Sequence, residues 1–177
     1  MIRCYVTDRR QGDLLSHVHA AIHDGVDLIQ VREKDLDARA LYELVCRVRD
    51  AAAGTQTKVL VNDRLDVALA ATIDGVHLPA NGLPPARVRP LVRVLGCSTH
   101  TLEEALQAER AGADFAIFGP VFDTPGKSPV GLDALRKVCA AVRVPVLAIG
   151  GITLENTSEV LDAGASGIAA IRLFQRG

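Results

Sequence analysis

The sequence predicts an α/β protein, a single (β/α)8 TIM barrel spanning residues 1–177. Three observations predict it. Eight short β-type runs alternate with helical patterns along the whole chain, and nearly every run is followed by a crossover. An open doubly wound sheet would use about five or six strands. Several strands are introduced by one device, a helix end followed by Gly, a small residue and Asp or Ser, as in Gly25-Val26-Asp27, Gly112-Ala113-Asp114 and Gly164-Ala165-Ser166. Composition agrees: 49% of residues are apolar, only 3% are aromatic and Trp is absent. A core of Ala, Val, Leu and Ile fits buried parallel strands under Ala-rich helices.

The elements follow in order. Strand 1 starts near Arg3 (RCYVTD), and Leu14, Leu15, Val18, Ala21 and Ile22 then fall on one helical face. Strand 2 starts near Asp27 (DLIQVREK), and Leu41, Leu44, Val45 and Val48 form the next apolar face. Strands 3, 4 and 5 start near Lys58 (KVLVND), Asp74 (DGVHL) and Arg93 (RVLGCST). Thr101 with Glu104 reads as a capping box opening a helix that Gly112 ends. Strand 6 starts near Asp114 (DFAIFGPVF) and strand 7 near Val144 (VPVLAIGG). Thr153 caps a further helix closed by Gly164, and strand 8 starts near Ser166 (SGIAAIRLF). With 177 residues the chain lies below the roughly 200 usual for this barrel. All eight strands fit, so the saving is expected at the end: the closing C-terminal helix is missing. An apolar flank beside strands 8 and 1 is then expected to be uncovered and to support a homo-oligomer.

Composition excludes several classes. Lys plus Arg is 20 and Asp plus Glu is 21, for a net charge of −1, and no basic block is present. Nucleic acid is therefore not the expected partner. Two Tyr and four Phe leave few platforms for stacking bases. Cys4, Cys46, Cys97 and Cys139 form no CxxC pair and read as buried thiols of a reducing compartment. No apolar run approaches the roughly 20 residues of a membrane span, and no signal peptide is evident, so the expected location is the cytoplasm.

In such a barrel the chemistry lies at the C-terminal ends of the strands. Gln30, Arg32 and Lys34 occupy i, i+2 and i+4 of strand 2 and so share a face, while Ile29, Val31 and Glu33 point the other way. Two cations on the barrel side need anions: either ion pairs with Asp8 or Asp63, or an anionic, phosphorylated ligand. Asn62 and Asp63 end strand 3, and Asp63 either pairs with Arg32 or holds Mg²⁺. Ser98, Thr99 and His100 end strand 5. After strand 6, Asp123 to Ser128 form a long loop whose Lys127 can reach the mouth. Its GKS is not a phosphate-binding P-loop, since the leading Gly would fall at Val121. Gly150 and Gly151 after strand 7 either admit an anion close to the backbone or make a tight turn. His17, His19 and His23 on the first helix match no metal-ligand pattern and are expected to be solvated, and His77 reads as a buried histidine.

Together QVREK (30–34), LVNDRLDVALA (60–70), DGVHLP (74–79), GCSTHTLEEA (96–105), FGPVF (118–122) with Thr124 and Lys127, and AIGGIT (148–153) carry a resemblance. The chain, from Tyr5 to Phe174, resembles the thiamine phosphate synthase and thiazole tautomerase (TenI-like) superfamily. The resemblance implies thiamine biosynthesis: a transferase joining a hydroxymethylpyrimidine diphosphate to a thiazole phosphate with release of pyrophosphate. It implies that Gln30 recognises the pyrimidine substrate and that Arg32, Lys34, Asn62 and Lys127 hold its diphosphate. It further implies Mg²⁺ on Asp63, Ser98 near the leaving group, and Thr124 and Gly151 on the thiazole phosphate, with Lys34, Ser98 and Lys127 catalytic. Gly150 and Arg172 join the phosphate end. The synthase pattern carries a second Mg²⁺ carboxylate where Pro79-Ala80-Asn81-Gly82 stands, a hydroxyl at Gly126 and a Ser at Arg172. The tautomerase branch has a His at Pro120. Two further readings follow: a thiazole phosphate tautomerase-like isomerase using His77 or His100 as base, and a non-catalytic phosphate-ligand binding or regulatory protein.

Overall fold

In a computed structural model describing residues 1–175, eight parallel strands close into a barrel in chain order. They are β1 (Ile2–Val6), β2 (Leu28–Val31), β3 (Lys58–Asn62), β4 (Gly75–Leu78), β5 (Val94–Thr99), β6 (Phe115–Phe118), β7 (Val146–Ile149) and β8 (Gly167–Ala170). β8 returns to β1 through the pairs Ile2 with Gly167 and Cys4 with Ala169. Outside the sheet run α1 (Leu14–His23), α2 (Ala38–Ala52), α3 (Leu65–Ala71), α4 (Pro85–Val88), α5 (Leu102–Arg110), α6 (Gly131–Ala141) and α7 (Thr157–Asp162). The expected faces are the buried ones: Leu14, Val18 and Ala21 on α1, and Leu41, Val45 and Val48 on α2.

The recurring Gly-x-Asp device has a physical role. A residue in the left-handed region ends the preceding helix: Gly25 at φ 71°, Gly112 at 86°, Gly164 at 98° and, before β4, Thr72 at 54°. The Asp two residues on ties its strand to the previous one. Asp27 accepts the Arg3 N–H at 2.7 Å, Asp74 the Val59 N–H at 2.8 Å, and Asp114 the Leu95 N–H at 2.7 Å. These bonds satisfy backbone donors near the starts of β1, β3 and β5.

Barrel-facing positions grade from apolar to polar. Cys4, Val6, Leu28, Leu60, Phe115, Ile117, Leu147 and Ala169 form the interior cluster. Above Leu28 and Leu60 the same faces present Gln30 and Asn62, and His77 follows on β4. Gly75 makes room for strand approach, since a Cβ there would lie 1.8 Å from the Val94 carbonyl oxygen.

Three expectations are corrected. Strand 2 ends at Val31, so Arg32 and Lys34 leave the sheet and belong to the loop above it. The flank beside β8 and β1 is covered: Tyr5 is fully buried and Ile168 is 2% exposed. Among the described residues β8 is followed by a single 3-10 turn, Arg172–Phe174, which lays the Phe174 ring 6.0 Å from that of Tyr5. Gln175 Nε2 then donates to the Tyr5 hydroxyl at 3.0 Å and to the Asp8 carbonyl at 2.9 Å. A short turn thus supplies cover that the sequence count assigned to a whole helix. The helix cap at Thr153 is shared with Asn156, which occupies the N-cap position; each of the two side chains accepts the other's backbone N–H. No helix among the described residues is long and apolar enough to cross a membrane.

Candidate active site

The barrel opens at the C-terminal strand ends into a cavity of about 880 Å³. Gln30, Arg32, Lys34, Asn62, Ser98, Thr124, Lys127, Gly150, Gly151 and Arg172 all line it. The wall is two-sided. β2 to β5 contribute Gln30, Asn62, His77 and Ser98, whereas Val6, Ile117, Ile149 and Ala169 make an apolar face opposite. A ligand with flat apolar rings and charged ends matches such a chamber better than a uniformly polar solute.

Charge is the dominant property of the mouth. Arg32, Lys34, Lys127 and Arg172 make no salt bridge among the described residues. The internal pairing weighed for Arg32 does not form, because Asp8 pairs with Arg10 at 2.8 Å. Asp123, which opens the long loop after β6, is the one carboxylate among the described residues that lines this cavity. Four cations against one acid leave an excess of positive charge that an anionic ligand would neutralise.

Asp63 stands slightly apart. It lines a smaller adjoining cavity of about 320 Å³ that shares Lys34, Asn62, Pro79 and Asn81 with the larger one. Its backbone has φ 65°, a strained value for a non-glycine, and its exposed carboxylate makes no salt bridge among the described residues. No group of three or more His, Cys, Asp or Glu that could hold a metal occurs among the described residues. Mg²⁺, however, commonly keeps several waters and binds through one or two carboxylates plus phosphate oxygens. Asp63 supplies one such carboxylate, and the amide side chains of Asn62 and Asn81 line the same smaller cavity.

His77 lies on the cavity floor, 1% exposed, with Nε2 2.8 Å from Ser98 Oγ. Burial, reinforced by the charge of Arg32, pushes its pKa down to about 3. The ring is therefore neutral at physiological pH. Its Nδ1 is buried without a partner, so the cheaper arrangement keeps that nitrogen unprotonated. Nε2–H then donates to Ser98, whose hydroxyl proton is free to donate into the cavity. His100 sits at the rim with Nδ1 3.2 Å from Glu104, whose carboxylate also accepts the His100 N–H. Half of the expected capping box forms: Thr101 accepts the Glu104 N–H at 3.2 Å, while the Glu104 carboxylate returns to the His100 N–H rather than to that of Thr101. Of the α1 histidines, His19 and His23 are exposed but His17 is half-buried against Gly12.

Gly150 and Gly151 form a tight turn at the edge of the cavity. Both have positive φ, 95° and 64°. A Cβ on Gly150 would lie 2.3 Å from Pro120, and one on Gly151 2.7 Å from Phe122. Their missing side chains let the β6 loop seat on the end of β7, where the Val121 N–H donates to the Ile149 carbonyl and that of Phe122 to Gly150. This seating carries Thr124 and Lys127 over the mouth.

The family model described as thiamine monophosphate synthase matches residues 4–174. A thiamine-phosphate synthase from Roseiflexus castenholzii is 42% identical over 94% of this chain and 77% of its own length. One from Desulfitobacterium hafniense is 40% identical over 94% and 85%. The solved structure of thiamine phosphate pyrophosphorylase from Pyrococcus furiosus superposes with a TM-score of 0.90 at 39% identity, covering 96% of this chain and 85% of that one. With a family match over nearly its whole length and relatives at about two-fifths identity, the chain belongs to the thiamine monophosphate synthase family.

Proposed function

We propose that the protein joins a hydroxymethylpyrimidine diphosphate to a thiazole phosphate and releases pyrophosphate. The observation that carries this reading is the set of cations Arg32, Lys34, Lys127 and Arg172, none in a salt bridge among the described residues, around an apolar-walled chamber. In the reaction the bond between the pyrimidine methylene carbon and its diphosphate oxygen breaks, and pyrophosphate leaves with the electron pair. The thiazole nitrogen lone pair then forms the new carbon–nitrogen bond. The chain's task is to position the two rings and to neutralise the leaving group.

In this reading Gln30 hydrogen-bonds the pyrimidine and the apolar wall receives the rings. Arg32, Lys34, Asn62 and Lys127 hold the diphosphate, and the Ser98 hydroxyl donates near the leaving oxygen. Thr124, Gly150, Gly151 and Arg172 make the thiazole phosphate end. Arginine there gives a charged, potentially bidentate contact. Asp63 would hold Mg²⁺, which when bound adds positive charge at the leaving pyrophosphate. An isomerase using His77 as base is disfavoured by the same geometry, because a nitrogen with a pKa of about 3 is a weak base. His100 is held by Glu104 at the rim.

The test is pyrophosphate release from the two substrates with Mg²⁺ present. Lys127→Ala is expected to lower kcat about 100-fold, the usual scale for removing one transition-state contact to a leaving anion. Wild-type activity without pyrophosphate release, or a silent Lys127→Ala, would remove the synthase reading.

A further inference from the structure

Arg32 and Lys34 reach the cavity from a segment that the sheet no longer holds, since the β2 ladder ends at Val31. Something else must fix residues 32–34. The residue between the two cations, Glu33, is 5% exposed and does not line the large cavity. Its carboxylate accepts the Thr7 hydroxyl at 2.6 Å and the Arg9 backbone N–H at 3.1 and 3.2 Å. Thr7 is fully buried, and its Oγ1 also accepts the Arg32 N–H at 3.0 Å, while its own N–H donates to the Gln30 carbonyl at 3.0 Å. Arg9 extends the clamp by pairing with Asp35 at 2.5 Å. The exit of β2 is thus tied to the exit of β1 from both sides. With Glu33 anchored behind, its two neighbours project the other way, into the cavity.

We propose that Thr7 and Glu33 are positioning residues: together they aim Arg32 and Lys34 at the same diphosphate. The inference rests on the reading that these cations hold the diphosphate. Neither Thr7 nor Glu33 lines the large cavity; Glu33 borders the smaller one beside Asp63, but its two carboxylate oxygens are held by the Thr7 hydroxyl and the Arg9 N–H. Both act through the backbone of residues 32–34. A buried threonine with both its acceptor and donor capacity used is also poorly replaced by an isosteric valine.

Two measurements on the full chain test it: titration with inorganic pyrophosphate by calorimetry, and KM for each substrate separately. Thr7→Val is expected to weaken pyrophosphate binding and raise KM for the diphosphate substrate about tenfold, as expected for losing hydrogen bonds in a charged buried network. KM for the thiazole phosphate, which Arg32 and Lys34 do not hold in this reading, stays within about twofold of wild type. Thr7→Ser keeps the hydroxyl and is expected to restore pyrophosphate binding. Glu33→Gln, which keeps the shape and removes the charge, moves the same parameters in the same direction and serves where Thr7→Val fails to fold. Arg32→Ala separates the two levels of inference. If Arg32→Ala leaves pyrophosphate affinity unchanged, the diphosphate reading falls and this proposal with it. If Arg32→Ala weakens binding but Thr7→Val and Glu33→Gln lower only the melting temperature, or shift both KM values equally, the pair is merely structural and the positioning role is overturned.

Discussion

His77 illustrates how one side chain joins stability to the site. Its ring is fully buried, hydrogen-bonded to Ser98 and held neutral by desolvation, with a folded pKa of about 3 against 6.5 unfolded. Between those two values the unfolded chain takes up a proton that the folded chain refuses. Stability from the neutral ring is therefore complete above pH 6.5 and declines as pH falls below it. The expected slope is about 1.4 kcal/mol per pH unit for this one group. Urea unfolding at pH 5, 6 and 7.5 checks it: His77→Asn should be less stable at pH 7.5, and its deficit should shrink at pH 5. A deficit independent of pH would mean that His77 is not neutral when folded. The spacing of Gln30, Arg32 and Lys34 made their shared direction legible in the sequence, and the structure brings all three to the cavity. Thr7 and Asp123 were not legible, because a buried hydroxyl at a strand end and an acid in a long loop carry no periodicity.

At the scale of elements, the helix-to-strand joints recur around the barrel and are open to direct tests. Thr72 occupies the left-handed position that glycine takes at Gly25 and Gly112. A β-branched residue there costs about 1–2 kcal/mol, partly offset by the greater unfolded-state freedom of glycine. Thr72→Gly is accordingly expected to stabilise the protein by about 0.5–1 kcal/mol, read by urea denaturation. Gly75 is the opposite case, because a Cβ would collide with the Val94 carbonyl oxygen in the paired strand, where neither backbone can move freely. Gly75→Ala is expected to cost about 3 kcal/mol or more. An unchanged unfolding midpoint would show that β4 and β5 are not so closely apposed. The Gly-x-Asp recurrence located strand starts correctly from sequence. Its carboxylate-to-backbone bonds became visible only when neighbouring strands were side by side, as for Asp27 with Arg3.

For the whole molecule, a net charge of −1 conceals an uneven distribution, with four cations around one opening that make no salt bridge among the described residues. Their convergence depends on closure of the barrel, which brings residue 32 and residue 172 to one mouth. The closed (β/α)8 order was readable because every strand and most helices announce themselves locally. The cover over Tyr5 was not, since it joins Gln175 to Tyr5 across nearly the whole chain. In the proposed reaction this chamber releases pyrophosphate while joining two phosphorylated rings. The most direct measurement incubates the purified chain with hydroxymethylpyrimidine diphosphate, thiazole phosphate and Mg²⁺, following pyrophosphate and thiamine phosphate together. Both products are expected in equal amounts, with formation lowered about 100-fold by Lys127→Ala. Binding of both substrates with neither product formed would contradict it.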